Sequence, residues 1–397
     1  MSPWLLLSLA LLAAPPIELH ALDGELLSGE LASLDAQQLV IRTEGHQRSI
    51  PLPAVLHLDF HRPNSPAPHG SGLLIALTDQ SMLPAASFSV TGDRAMIELP
   101  AASATLPLAV VSQVRKSEAS DVDQRQWEQI LSENLAGDVI VLRKNDALDY
   151  LEGVLHDVDA AQARFEIDGE TVPVKWSKIF GLIYHRSRGD HSPPPLCRVD
   201  DVYGSRFFAA AVSLQDDALN LTLASGATVK LPLEAVSRLD YSLGKLVYLS
   251  DLDWDRRAST RAAAFGPSVP PDPETDLFAP QRDRALEGGP LLLRKKPYAK
   301  GLALHSRTLL VYRLPDGFRR FTAIAGIDDR MERRGNVRLV IEADDRRLLE
   351  ATLSGGEDPL PIDLDVAGAR KLAILVDFGA DQDVSDHLNL ADAKLIK

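Results

Sequence analysis

The sequence predicts an all-β protein in two parts, a series of small barrel-like repeats followed by a β-sandwich. Three observations carry this. Short runs of apolar residues alternate with polar ones at period two, as strands with one buried face require. Turn-forming pairs such as Asp168-Gly169, Ser225-Gly226 and Gly355-Gly356 separate the runs. An apolar-Pro-apolar step recurs four times in the first 240 residues. Many short strands with a single helical stretch among them define an all-β chain rather than an α/β one.

The 397 residues are enough for about two to four domains with substantial cores. A net charge of −14 argues against nucleic acid, whose phosphates call for basic stripes, and against anionic membrane surfaces. Cys197 is the sole cysteine, so an intrachain disulfide and a thiolate zinc site are both ruled out. It lies too far from the N-terminus to be a lipoprotein anchor and is expected to pack as a small apolar residue.

Leu5 to Ala14 form an apolar run, ended by Pro15-Pro16, that is too short to cross a bilayer and fits the apolar region of a secretory signal peptide. Residues 1–21 are assigned to it, with Ala14 and Ala21 both candidates for the cut. The alternative is a buried N-terminal strand or helix. Export to the periplasm, cell surface or medium is expected, with no transmembrane segment left after signal removal.

The four repeated steps are Ile50-Pro51-Leu52, Leu106-Pro107-Leu108, Val172-Pro173-Val174 and Leu231-Pro232-Leu233, each leading into a short apolar strand. Upstream of each lies a hairpin pattern, such as Gly153-Val-Leu155 with Phe165-Glu-Ile167. Each copy reads as a strongly bent antiparallel sheet of about five strands, over 22–62, 70–116, 137–187 and 196–241. These copies resemble SH3-like or Sm-like small barrels. They are acidic to neutral and poor in stacking aromatics, which disfavours the RNA binding known for Sm-like barrels and leaves a scaffold or packing module. Between the second and third copies, at 117–136, Ser120-Asp-Val-Asp123 reads as a capping box opening a linker helix. Trp127, Ile130, Leu131 and Leu135 share one face of it, to be docked on a neighbouring barrel.

From residue 242 to 397 the alternating pairs are Leu302/Leu304, Leu309/Val311, Phe321/Ala323/Ala325, Val337/Leu339/Ile341, Ile362/Leu364/Val366 and Leu372/Ile374/Val376. Arg261 to Pro290, rich in Pro and charge, reads as a long loop of this sandwich. Within it Tyr298-x-Lys300-Gly301, His305-Ser306, Gly326-Ile-Asp328-Asp329, Gly335-x-Val337 and Asp386-His387 before Ala391-Asp392-Ala393 resemble the NPCBM domain. That is a carbohydrate-binding module found in glycosyl hydrolase family 98 enzymes and in many secreted bacterial proteins. The resemblance implies a jelly-roll-like sandwich and a glycan or polysaccharide partner. Two departures stand out: Leu390 occupies a position where the family usually has Trp, and Asp344-Asp345-Arg346 replaces an Asp-Gly turn. The smaller Leu fits a core role for that position better than a sugar platform.

Sugar hydroxyls need polar groups that both donate and accept, beside an aromatic ring. The candidates are His305, Asp328, Asp386, His387 and Asn389, with Trp254 or Tyr298 as the ring; the competing reading makes the two histidines structural hydrogen-bonding residues. Asp251, Asp253 and Asp255 alternate as oxygen ligands can, and with Asp328 and Asp329 they are candidates for a structural calcium. Against that stand acids on a solvated loop, and Ala262 at the twelfth position rules out an EF-hand. No cofactor is expected. The motifs of serine hydrolases, zinc proteases, P-loops and dinucleotide sites are absent. The expected function is therefore an exported, non-catalytic carbohydrate-binding or cell-surface protein. The alternatives are a structural or protein-interaction scaffold without sugar affinity and, more remotely, a glycoside hydrolase whose catalytic residues carry no recognisable motif.

Overall fold

The computed structural model describes residues 17–397 except 44, 64, 66–71, 145–146, 186–192, 263–267, 270–277, 345 and 381. The apolar run, the cut at Ala14, Asp345 and parts of the Pro-rich linkers and long loop lie outside the described residues. Contacts divide the chain into two units, Met1–Leu243 and Gly244–Lys397.

The first unit holds 21 strands hydrogen-bonded into one continuous sheet, in four successive groups. The first contains β1 (Ile17–Ala21), β2 (Leu26–Leu34), β3 (Gln38–Thr43), β4 (His46–Pro51) and β5 (Val55–Asp59). The second contains β6 (Leu73–Leu77), β7 (Met82–Ala85), β8 (Ser87–Thr91), β9 (Arg94–Glu98), β10 (Ser103–Pro107) and β11 (Val111–Lys116). The third contains β12 (Asp138–Lys144), β13 (Ala147–Val158), β14 (Gln162–Ile167), β15 (Glu170–Lys175) and β16 (Ile179–Ile183). The fourth contains β17 (Cys197–Asp201), β18 (Arg206–Gln215), β19 (Ala218–Leu223), β20 (Thr228–Pro232) and β21 (Val236–Asp240). The second repeat has an extra strand because its long bent strand is broken at Ala86, where the other copies run on unbroken. Ile17 and Leu19 of β1 are fully buried and pair with β2 and β5, so the first repeat starts before residue 22. A cut after Ala21 would remove a core strand.

A single turn of 3-10 helix precedes the last strand of every repeat, at Leu52–Ala54, Leu108–Val110, Trp176–Lys178 and Leu233–Ala235. Pro51, Pro107 and Pro232 cap three of these turns with φ near −60°, the value the pyrrolidine ring imposes. In the third repeat the cap is Lys175, at φ −66°. The Val172-Pro173-Val174 step is therefore two residues out of phase with the other copies. Pro173 sits instead within β15, which pairs only with β14, and an edge strand tolerates a missing donor.

The closing strands pair with one another. β5 meets β21 with Leu58 opposite Leu239, and β11 meets β16 with Val114 opposite Leu182. Each of these four residues is the fourth of its strand and all are fully buried. The first repeat thus joins the fourth, and the second joins the third, each about a local two-fold relation. On the outer face of the second seam lies α1 (Asp121–Ser132), begun by the Ser120–Asp123 capping box. Its Trp127 and Ile130 pack with Val139, Val141, Phe180 and Ile183.

The second unit is a sandwich of two antiparallel sheets. Its elements are β22 (Leu246–Tyr248), β23 (Thr260–Ala262), β24 (Ser268–Val269), β25 (Gln281–Arg282), β26 (Leu291–Leu293), β27 (Lys296–Tyr298), β28 (Gly301–His305) and β29 (Thr308–Arg313). They continue with β30 (Arg320–Ile327), β31 (Asn336–Ala343), β32 (Arg346–Ser354), β33 (Leu360–Asp365), β34 (Lys371–Phe378) and β35 (His387–Ile396). One sheet runs β25-β28-β35-β30-β33, with β22 also on β35; the other runs β24-β23-β29-β34-β31-β32. Leu302, Leu304, Phe321, Leu339, Ile374, Leu388 and Leu390 fill the space between them. One expected phase is wrong: in β29 it is Leu310 and Tyr312, not Leu309 and Val311, that enter the core. Val311 is buried too, so the strand is apolar on both faces and its pattern does not fix the phase.

Candidate functional site

The candidate site lies on the outer face of the sheet that contains β35. Because Leu302, Leu304, Leu388 and Leu390 point into the core, period two places Ala303, His305, His387 and Asn389 on the opposite face. The register sets His305 against His387 and Ala303 against Asn389, with Gly326 of β30 on the other side of Asn389. Over this face folds the hairpin β26–β27. A Cβ at Gly301 would come within 2.9 Å of Leu291, and one at Gly326 within 2.9 Å of Leu293, so the two glycines let the hairpin settle onto the sheet. Its turn residues Arg294 and Lys295 have φ of +52° and +65°, a conformation disfavoured for L side chains. The Asp329 carboxylate accepts both of their backbone N–H groups, at 2.9 and 2.5 Å.

Beside the hairpin three rings meet. Phe278 lies over His305 with ring centroids 4.2 Å apart, and the two imidazoles are edge to face at 5.6 Å. His305 and His387 are both buried, at 4% and 9% exposed, while Phe278 beside them is partly exposed. Burial holds His387 below its ordinary pKa, against the opposing charges of Glu287 and Asp328. Asn389 donates to the Asp328 carboxylate at 2.7 Å and to the Leu292 carbonyl at 3.3 Å. Asp328 also accepts from the Arg330 backbone and guanidinium. The four polar candidates His305, Asp328, His387 and Asn389 thus come together. All four are buried, and Asn389 and Asp328 bond to each other.

The other candidates go elsewhere. Asp386 is buried and accepts from the Asn336 backbone, tying β31 to the approach of β35. Tyr298 closes the hairpin opposite Leu291, with the Lys296 ammonium 5.0 Å from its ring. Trp254 bridges to Tyr312 on the other sheet, under the Arg282 guanidinium at 4.4 Å. The candidate calcium carboxylates each have a separate partner: Asp251 pairs with Lys300, Asp253 with Arg282 and Asp255 with Arg313. Leu390 is fully buried, which places it in the core rather than on an open platform. Phe278 was missed by sequence reasoning because it sits alone in a Pro-rich, charged segment. The hairpin was missed because its turn is Arg-Lys, without Gly or Asn.

The second unit is thus a two-sheet all-β domain with an aromatic and imidazole cluster on one outer face. Residues 245–396 match the NPCBM/NEW2 domain, so the second unit carries a domain of that family. Among solved structures, one similar to this chain is a CBM51 module of a Clostridium perfringens GH95 protein in complex with methyl-galactose. It is 23% identical, aligned over 38% of this chain and 99% of that one, with a TM-score of 0.32. A second, CBM51-2 with the INT domains of Clostridium perfringens ZmpB in complex with GlcNAc, is 21% identical over 47% of this chain, at a TM-score of 0.33; this chain spans 37% of its length. A third is the tandem CBM51 pair of the family 98 glycoside hydrolase from Streptococcus pneumoniae SP3-BS71. It is 12% identical over 84% of this chain and 92% of that one, with a TM-score of 0.32. No curated protein sequence matches this chain.

Proposed function

We propose that this is an exported, non-catalytic glycan-binding protein whose C-terminal sandwich makes the sugar contact. The match of residues 245–396 to the NPCBM/NEW2 domain carries the reading. The geometry supports it at one place: Phe278 offers a partly exposed ring, and His387 beside it can both donate and accept. Asn389 and Asp328 act beneath them as supports that fix the sheet face, rather than as sugar contacts. Among the described residues no helix is long and apolar enough to cross a membrane.

The full chain, screened against a broad glycan panel, is expected to bind at least one glycan class. Phe278→Ala and His387→Ala are each expected to weaken that binding at least about tenfold. Failure of the wild type to bind any glycan would favour the scaffold reading. Release of reducing ends from a polysaccharide would revive a hydrolase. Recovery of Met1 at the N-terminus of native protein would count against export.

A further inference from the structure

The two seams of the N-terminal unit share a register but differ on their outer faces. On the second seam β12 and β16 make that face apolar beneath α1, while β11 places Gln113 and Arg115 on it. On the first seam the equivalent positions are ionisable. Glu18, Asp59, Arg238 and Asp200 stand side by side across β1, β5, β21 and β17, and the neighbouring row is His20, His57, Asp240 and Arg198. Four carboxylates against two guanidiniums leave this patch anionic when the imidazoles are neutral.

At one corner three donors converge. His20 and His57 are directly paired across β1 and β5, and their rings are stacked at 4.1 Å with planes 25° apart. Asp59 Oδ2 lies 3.3 Å from His57 Nε2 and 3.8 Å from His20 Nε2. One ligand atom from each residue falls within 4.8 Å of the others, and among the described residues no second set of three or more such side chains does so. Four-coordinate zinc bonds of about 2.0–2.2 Å place neighbouring ligand atoms about 3.3–3.6 Å apart. The spacing is therefore close to what a metal needs, with small side-chain adjustments. Arg238 Nη1 holds the other oxygen of Asp59, Oδ1, at 3.2 Å, and so orients Oδ2 toward the imidazoles as an outer partner does in metal sites. Glu18 Oε1 bonds to His20 Nε2 at 2.7 Å and lies outside the convergent set of three. All four side chains are partly exposed, so an ion can enter.

We propose that His20, His57 and Asp59 form a binding site for a divalent transition-metal ion of the zinc class on the seam between the first and fourth repeats. Mixed imidazole and carboxylate donors select such an ion over calcium or magnesium, which take oxygen ligands. The ion would bridge β1 to β5 where, among the described residues, no helix covers the sheet. Asp59 and Arg238 also line a cleft of about 530 Å³ with Asp200, Asp201 and Ser205, so the ion would sit at the margin of an open groove.

The test is titration of chelator-treated full-length protein with zinc chloride, read by calorimetry and by the thermal midpoint. The wild type is expected to bind one zinc ion per chain at the cluster, with a raised midpoint as ligand linkage requires. His57→Gln places in the first repeat the residue that the second repeat carries at the equivalent position, Gln113, so the fold is expected to tolerate it. Its metal-free midpoint should match the wild type, while zinc affinity should fall at least about 100-fold. Asp59→Asn should weaken zinc similarly. Wild-type protein with no zinc uptake, or His57→Gln and Asp59→Asn both binding with unchanged affinity and stoichiometry, would overturn the site. Calcium chloride producing the same heat and the same midpoint shift as zinc would overturn the choice of ion.

Discussion

Gly181 lies directly beneath Trp127: a Cβ on Gly181 would approach the indole ring to 2.6 Å and the Val114 carbonyl to 2.8 Å. The helix between the second and third repeats can dock only because the sheet presents a bare backbone at that point. Gly181→Ala must push the indole out of its seat or shift a seam strand. A destabilisation of about 1–3 kcal/mol is expected for such overpacking, and Trp127→Ala is expected to destabilise by about 3–5 kcal/mol. Urea titrations that left both variants at the wild-type midpoint would show that the helix contributes nothing to the seam.

Leu390 is fully buried between Leu302 on β28 and Ala325 on β30. Leu390→Ala should lower the stability of the sandwich by about 2–5 kcal/mol. Leu390→Trp should also destabilise, since the ring must fit a space packed around Leu. Thermal denaturation that placed Leu390→Trp above the wild type would mean that the core has room the structure does not show.

Asp329 fixes a hairpin turn through two backbone N–H groups at residues with positive φ. Asp329→Ala removes both acceptors, so the Arg294-Lys295 turn should loosen and the hairpin should open more often. Amide hydrogen exchange at Leu292 to Lys296 is expected to speed up by about tenfold or more, in proportion to the local opening. Lys295→Gly should partly rescue protection, because glycine adopts positive φ without strain. Unchanged exchange in Asp329→Ala would remove this carboxylate from the account of the turn.

His387 has a folded pKa below its ordinary value of 6.5, and burial is the cause. The unfolded chain therefore takes up the proton first as pH falls. The His387 contribution to stability is fully present above about pH 6.5 and is lost progressively as pH drops from there toward the folded value. His387→Gln should flatten this part of the pH–stability profile. Equal slopes in the wild type and the variant between pH 7 and 5 would exclude His387 as the titrating group.

Strand position was legible where one face is apolar and the other polar or exposed, as in β33. Pattern failed where both faces are apolar, as in β29, and where a turn is held by a distant carboxylate instead of by its own residues, as at Arg294-Lys295. The repeats were visible through proline because three of four cap the same 3-10 turn. The fourth proline misled, since Lys175 adopts the same φ without a ring to mark it. In the candidate site, His305, Asp328, His387 and Asn389 could be named, since they flank apolar strand positions. Their shared burial, with Phe278 partly exposed beside them, depends on register and on the hairpin above, which local sequence does not encode. His20 and His57 were missed because their partnership is a cross-strand pairing of residues far apart in the chain.

The seams are nested like a pair of parentheses, the second repeat closing on the third and the first on the fourth. During synthesis the inner pair can close as soon as β16 emerges. β5, by contrast, has a neighbour on one side only until β21 has been made. Through that interval its unpaired backbone and the apolar Leu58 are open to pairing with another chain, the hazard that any bare strand edge carries. Closing the outer pair also means ordering a loop as long as two whole repeats, which is slow even though its entropy grows only with the logarithm of length. The sequence meets that delay with charge: Asp59 on β5, and Arg238 and Asp240 on its late partner, give the edge a complement that a second copy of β5 would lack.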